Sequence, residues 1–414
     1  MSIKPGPWCV ALALRRGAAT ALAAIIAAVF LASVAAGLSR LALAKYLRDD
    51  LGASALLVSS LTSWFMGARA FLSVFSGFAA DASPAARRLF LFLPLVLIAV
   101  IVYVIPSLGS PSAIILLNAV WGFLSGALWP VTQTVAAVLA APWSSTIMSV
   151  YFASGSLGVS AGQYLYGLLP LSNQDAVRLS AGLFAASAAV MAYASRVAPP
   201  AGPRAGRKGP GRSRLPDVLS DGLAVWILFS ALAAGYLSGL LKEFLYIYLG
   251  EVYGLDRQAL ASSLALAGVV SFVAGLAVGP LADRVGVAPV LAAVLAMGLV
   301  GSLALGLSPS FPGALLGLAL AMTAARSSLP LTRNAAAFTA GLQATLVGAS
   351  NAFSNIGHMV SPIIAGRLYD TLHGQTLAGL RGEATPFLTA AVLLAVTLAL
   401  YPASARRRHG GEKS

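Results

Sequence analysis

The chain has 414 residues, 58% of them hydrophobic and only 10% charged, with a formal net charge of +14. A soluble domain carries roughly 25% charged residues, and a water-soluble chain of this length cannot bury so much apolar surface. A soluble enzyme or binding module is therefore excluded, and a bilayer-embedded protein is implied. The positive charge does not mark a nucleic-acid binder. Its Lys and Arg residues sit in short gaps between apolar runs and at the chain ends, not among aromatic residues in a nucleic-acid motif.

Twelve apolar runs are long enough to cross a bilayer, which needs about 20 apolar residues. They are 19–44, 54–79, 88–108, 112–139, 144–169, 176–197, 222–249, 258–281, 287–307, 312–332, 341–367 and 385–403. The first run lacks a signal-peptidase site and is expected to stay as helix one. The single cysteine, Cys9, precedes it and allows no internal disulfide and no Cys-based metal site. Arg40 lies late in helix one and Arg69 deep in helix two. A Gly77-Phe78-Ala79-Ala80-Asp81 turn closes helix two, and Arg87 and Arg88 open helix three. Helix four carries Trp129, able to stack on a ligand, and helix five carries Tyr151, Ser154 and Gln163 as candidate cavity walls.

A Pro/Gly-rich basic stretch from Pro199 to Asp221 follows helix six and reads as a linker. It serves as a tether and topology signal, or as a contact for anionic lipid heads. This gives three expected parts: a six-helix bundle over 1–198, a linker over 199–220 and a second bundle over 221–414. Helix seven holds Lys242 and Glu243, helix ten Arg326, and helix eleven Asn351, Asn355 and His358 at spacings that share one helical face. Helix eight ends in Gly279-Pro280-Leu281-Ala282-Asp283-Arg284, with Gly286 beyond.

The two halves repeat. A shift of about two hundred residues brings Leu128-Trp129-Pro130 near Ser328-Leu329-Pro330, Gly158 onto Gly357, and Arg40 onto Lys242. Six helices per half is an even number, so the repeats are parallel, related by an axis along the membrane normal. Lys and Arg set the orientation. With both termini inside, seventeen of the 27 fall inside, six outside and four within apolar runs. That bias predicts cytoplasmic termini in a multi-pass plasma-membrane protein.

Two six-helix halves, a basic linker and a Gly-x-x-x-Asp turn followed by Arg after helices two and eight resemble the major facilitator superfamily. The matching positions are Gly77, Asp81, Arg87 and Arg88 in the first half and Gly279, Asp283, Arg284 and Gly286 in the second. The resemblance implies an all-α membrane fold of two pseudo-symmetric bundles, and a gating loop that braces the cytoplasmic helix ends. Asp81 is followed by Ala82 and Gly286 by Val287 and Ala288, where the family commonly has basic residues. Weaker charge pairing at the gate is expected.

A charge in the bilayer core costs at least about 2.5–3.5 kcal/mol, so intramembrane ionisable groups are functional candidates. Four of the six here are basic: Arg40, Arg69, Lys242 and Arg326, with Glu243 and His358 the others. Arg40 and Lys242 either face a cavity and bind an anion together or snorkel to the outer surface. Arg326 has no basic counterpart in the first half and is the better specificity candidate. Glu243 and His358 are candidate proton carriers, and Trp129, Gln163, Asn351, Asn355 and His358 candidate substrate contacts.

The expectation is a secondary transporter, not an enzyme, moving a small organic solute, an organic anion in chemical class, by alternating access. Proton-driven drug efflux and neutral sugar uptake are the alternatives. No His-x-x-x-His pair, nucleophile elbow or phosphate-binding loop is present, so no metal or cofactor is expected. The expected partners are a small-molecule substrate and the lipid bilayer, with no nucleic acid, and the expected state is a monomer.

Overall fold

A computed structural model describes residues 7–82, 84–139, 144–197, 222–337, 343–377 and 379–411. The first-half helices are α1 (Pro7–Lys45), α2 (Ala55–Ala82), α3 (Pro84–Val104), α4 (Pro111–Leu139), α5 (Ser144–Leu168) and α6 (Asn173–Val197). In the second half, helix seven is split into α7a (Gly222–Leu240) and α7b (Glu243–Val252). It is followed by α8 (Arg257–Val285), α9 (Val287–Leu307), α10 (Phe311–Ala337), α11 (Gln343–Leu372) and α12 (Thr385–Gly411). These elements supply the expected twelve-helix arrangement. Among the described residues, ten helical segments are long and apolar enough to cross a membrane. A two-stranded hairpin, Thr376–Leu377 with Leu380–Arg381, links α11 to α12.

The described helices fall into two compact units, residues 1–43 with 68–206 and residues 44–67 with 207–414. The end of α1, the π-helical turn Tyr46–Asp50 and the first half of α2 thus pack within the second unit.

Inside the first unit, α5 lies on α1 through Gly162. A Cβ there would run into the Val34 carbonyl, so only glycine permits this approach. Ser187 of α6 donates to the Ala28 carbonyl of α1 at 2.7 Å. Inside the second unit, Gly357 of α11 lies as tightly on α7a, where a Cβ would meet the Leu232 carbonyl. The repeat found in sequence is therefore a repeat of packing: helix five on helix one, helix eleven on helix seven. The Trp226 indole N–H donates to the Thr397 carbonyl at 3.1 Å and ties α7a to α12. Phe244, Tyr248, Tyr369 and Phe387 form one buried ring cluster between α7b, α11 and α12.

Each of two proline helices carries a hydroxyl back-bond close to its proline. Thr132, two residues after Pro130, donates to the Leu128 carbonyl at 2.8 Å, and Thr332, two after Pro330, donates to the Leu329 carbonyl at 2.9 Å. A proline lacks an N–H and leaves carbonyls of the preceding turn without their usual donor. Those orphaned carbonyls are those of Gly126 and Arg326, four residues before each proline, so the threonine hydroxyls add back-bonds beside the proline rather than replace the missing donor.

Helix seven differs from the continuous helix expected over 222–249. It breaks at Leu241 and Lys242, where Lys242 has φ −108° and ψ −132°. The new helix opens on Glu243, an acid in a first turn, which the macrodipole favours.

Candidate functional site

In the second unit, α10 positions Arg326 against α8. Its Nη1 donates to the Gly268 carbonyl at 2.8 Å and to Ser271 Oγ at 2.7 Å. Those two bonds fix the guanidinium plane and leave Nη2 and Nε directed elsewhere. The buried Tyr246 phenol of α7b lies within electrostatic range. Among the described residues no carboxylate forms an ion pair with Arg326. The neighbouring Ser327 hydroxyl is buried and lacks a hydrogen-bond partner. A part-buried guanidinium with no acid beside it is an unneutralised charge in an apolar span, the situation that an anionic ligand relieves.

Glu243 is 2% exposed and accepts a hydrogen bond from the Thr62 hydroxyl of α2. It is the one carboxylate within an apolar run of the sequence. Lys242 is part-buried at the break itself. On α11, His358 is buried and its Nδ1 lies 3.0 Å from the Ser354 carbonyl of its own helix. A Cβ at Gly239 would meet the His358 backbone, so His358 stands on the α11 face that packs against α7a. Asn351 and Asn355 are part-buried beside that face.

In the first unit, the Arg40 guanidinium carbon lies 5.2 Å from the centroid of the Trp121 ring, a cation–π arrangement. Trp121 is buried and meets Phe184 edge-on at 5.5 Å. Arg69 is part-buried, and its backbone is pressed against Gly126 of α4. Trp129 is part-buried and Gln163 buried. The Tyr151 hydroxyl is buried without a hydrogen-bond partner and lies within electrostatic range of Arg69.

The gating positions are unevenly visible. Gly77 and Asp81 lie on the α2 backbone, but their side-chain surroundings fall outside the described residues. Arg87 is part-buried and Arg88 exposed in the first turns of α3. In α8, Gly279, Asp283 and Arg284 are exposed. Gly286 ends α8 with φ +100°, its N–H donating to the Ala282 carbonyl at 2.9 Å. That backbone conformation explains the glycine. Arg284 in the last turn compensates the helix dipole that Asp283 opposes.

Residues 25–362 match the family model described as Major Facilitator Superfamily. The chain belongs to the major facilitator superfamily. No curated protein sequence matches it. Solved structures share the fold at low identity. The nucleoside transporter NupG is 15% identical, covers 93% of this chain and 98% of its own, and superposes with a TM-score of 0.72. A bacterial homologue of the human lysosomal transporter Spinster, inward-facing and unoccupied, is 13% identical over 94% of this chain and 97% of its own, TM-score 0.72. The human organic anion transporter MFSD10 is 18% identical over 93% of this chain and 99% of its own, TM-score 0.64. The protein is a multi-pass membrane transporter of this family.

Sequence reasoning singled out Arg326 and Glu243 but not the groups that position them. Ser271 and Thr62, like Trp121 beside Arg40, are ordinary residues of apolar helices, and nothing in their spacing sets them apart. The signal was available only from the charged partner: a buried guanidinium or carboxylate requires hydrogen-bonding neighbours.

Proposed function

We propose that the protein is a secondary active transporter that carries a small organic anion across the plasma membrane by alternating access. The carrying observation is Arg326. Two of its N–H groups are held by Gly268 and Ser271, and the rest of the planar fork suits a carboxylate or phosphate. Arg40, Arg69 and Lys242 add positive potential within the apolar spans. Trp129, Gln163, Asn351 and Asn355 are the candidate contacts for the uncharged part of the solute. The organic anion transport named for MFSD10 agrees with this reading, although the likeness to it is one of fold.

The buried Glu243 favours proton coupling as the energy source. A buried carboxylate in an apolar span, hydrogen-bonded by the Thr62 hydroxyl, is a candidate carrier of the coupling proton. His358 is the second candidate carrier. If drug efflux were the activity, Glu243 would be its coupling group as well.

The deciding experiment is uptake into liposomes holding the purified protein, with short carboxylates and sugar phosphates tested with and without a pH gradient. Saturable anion uptake whose KM the Arg326→Ala variant raises is the expected result. Transport of cations or neutral sugars with no anion uptake overturns it. The Glu243→Gln variant should still exchange anions down their gradient but lose the response to a pH gradient. Unchanged gradient-driven uptake would remove Glu243 from that role.

A further inference from the structure

A polar belt joins residues 44–67 to the rest of the second unit. Arg48, in the π turn, makes a bidentate pair with Glu251 at the end of α7b, 2.6 Å from Nε to Oε1 and 3.0 Å from Nη2 to Oε2. The third direction of the fork, Nη1, donates to the Ala53 carbonyl at 2.9 Å. Tyr369 of α11 donates to the same Glu251 at 2.8 Å. The next residue, Asp370, accepts from the backbone N–H groups of Ala55 and Leu56 at 2.9 Å each. A carboxylate thereby closes the first turn of α2, where the helix presents its orphan donors.

One titratable group adjoins the belt without belonging to it. His373, in the turn after α11, lies with its ring 5.0 Å from that of Tyr369, inclined at 34°. Its Nδ1 is 3.1 Å from Glu383 Oε1, and the same oxygen accepts from the Gly374 N–H at 2.7 Å. Glu383 is nearly buried, whereas His373 is 54% exposed. Among the described residues, the charged and titratable groups near His373 include Glu383 on the 3₁₀ turn Gly382–Ala384, Tyr369 at the end of α11, and beyond Tyr369 the Glu251–Arg48 pair. Glu251 is close enough to feel a charge on His373.

We propose that the belt is a pH-controlled latch, in which protonation of His373 keeps residues 44–67 docked on the second unit. This goes beyond the transport reading and does not depend on the substrate. Protonated His373 makes a charge-assisted bond to Glu383, roughly twice as strong as its neutral counterpart. That bond anchors the last turn of α11. Tyr369 and Asp370 sit in that turn, so their bonds to Glu251 and to the start of α2 are held in register. The added positive charge also favours ionised Glu251. Loss of the proton weakens all three effects together.

The test is amide hydrogen exchange of the full-length protein in lipid nanodiscs, at about pH 5.5 and about pH 8, each rate corrected for intrinsic exchange. The readout is the Ala55 and Leu56 N–H pair. In the native protein, protection should fall by about threefold to tenfold from acid to alkaline pH, the worth of one hydrogen bond. His373→Lys should stay protected at both values, and His373→Gln should be weakly protected at both. Glu383→Gln, which leaves the histidine in place, should remove the pH dependence as well. Equal pH dependence in the native protein and in Glu383→Gln would overturn the proposal, as would a native protein with none.

Discussion

At the scale of residues, two charged side chains behave oppositely because their surroundings differ. Arg326 has hydroxyl and carbonyl partners but no carboxylate among the described residues. Charge-assisted bonds to a ligand anion are worth about 1.5–3 kcal/mol, so Arg326→Ala should raise the KM for the transported anion by about tenfold to a hundredfold. Arg326→Lys, which keeps the charge and loses the fork, should recover part of that affinity. Equal KM values in native and Ala proteins would exclude Arg326 from the binding site. Glu251 is fully paired. Burial alone would push its carboxyl up, but hydrogen bonds from Arg48 and Tyr369 outweigh burial and hold it below the ordinary value of 4.5. A carboxyl lowered on folding adds stability above its unfolded value and loses it as pH falls through the folded one. Below about pH 4 the native protein should therefore lose thermal stability faster than Glu251→Gln, measured as the melting midpoint against pH. Parallel curves for the two proteins would contradict the assignment. Both residues were present as charges in the sequence. Only Arg326 stood out there, because Glu251 lies outside an apolar run and its partner Arg48 is 203 positions away.

At the scale of elements, glycine decides how closely helices approach. Gly162 in α5 has no room for a Cβ against the α1 backbone, whereas Gly182 in α6 has nothing within 4 Å of that position. Gly162→Ala should destabilise by about 1–3 kcal/mol through overpacking. Gly182→Ala should be neutral or stabilise by about 0.5–1 kcal/mol, because alanine is the better helix former. Melting midpoints in one detergent would compare them, and equal midpoints would mean that α1 and α5 separate at no cost. The periodic glycines made this contact legible in sequence: Gly158 and Gly357 coincide under the repeat shift, and both pack on a facing helix. The break of helix seven was not legible. Leu241 and Lys242 are both good helix formers, and neither proline nor glycine stands between Gly239 and Glu243. The interruption coincides with contacts that only the folded chain makes, Gly239 against the α11 backbone and Glu243 against Thr62.

At the scale of the whole molecule, apolar length and repetition carried the fold, because a bilayer forces each crossing into a helix and so ties architecture closely to composition. The twelve runs and their parallel duplication needed no knowledge of side-chain contacts. Docking of residues 44–67 within the second unit did need it, since it draws on polar side chains that no periodicity relates, among them Arg48, Thr62, Glu243, Glu251, Tyr369 and Asp370. Orientation rests on Lys and Arg alone. The basic stretch around Arg204 and the cluster at Arg406, Arg407 and Arg408 are the strongest cytoplasmic signals, and the hairpin turn near Gln375 should then lie outside. In a background with Cys9 replaced by Ser, a membrane-impermeant maleimide applied to intact cells should label Gln375→Cys. It should leave Arg204→Cys and Arg407→Cys unlabelled until the membrane is opened. Labelling of Arg204→Cys in intact cells would invert the orientation and place the His373 latch on the cytoplasmic side, where it would respond to internal rather than external pH.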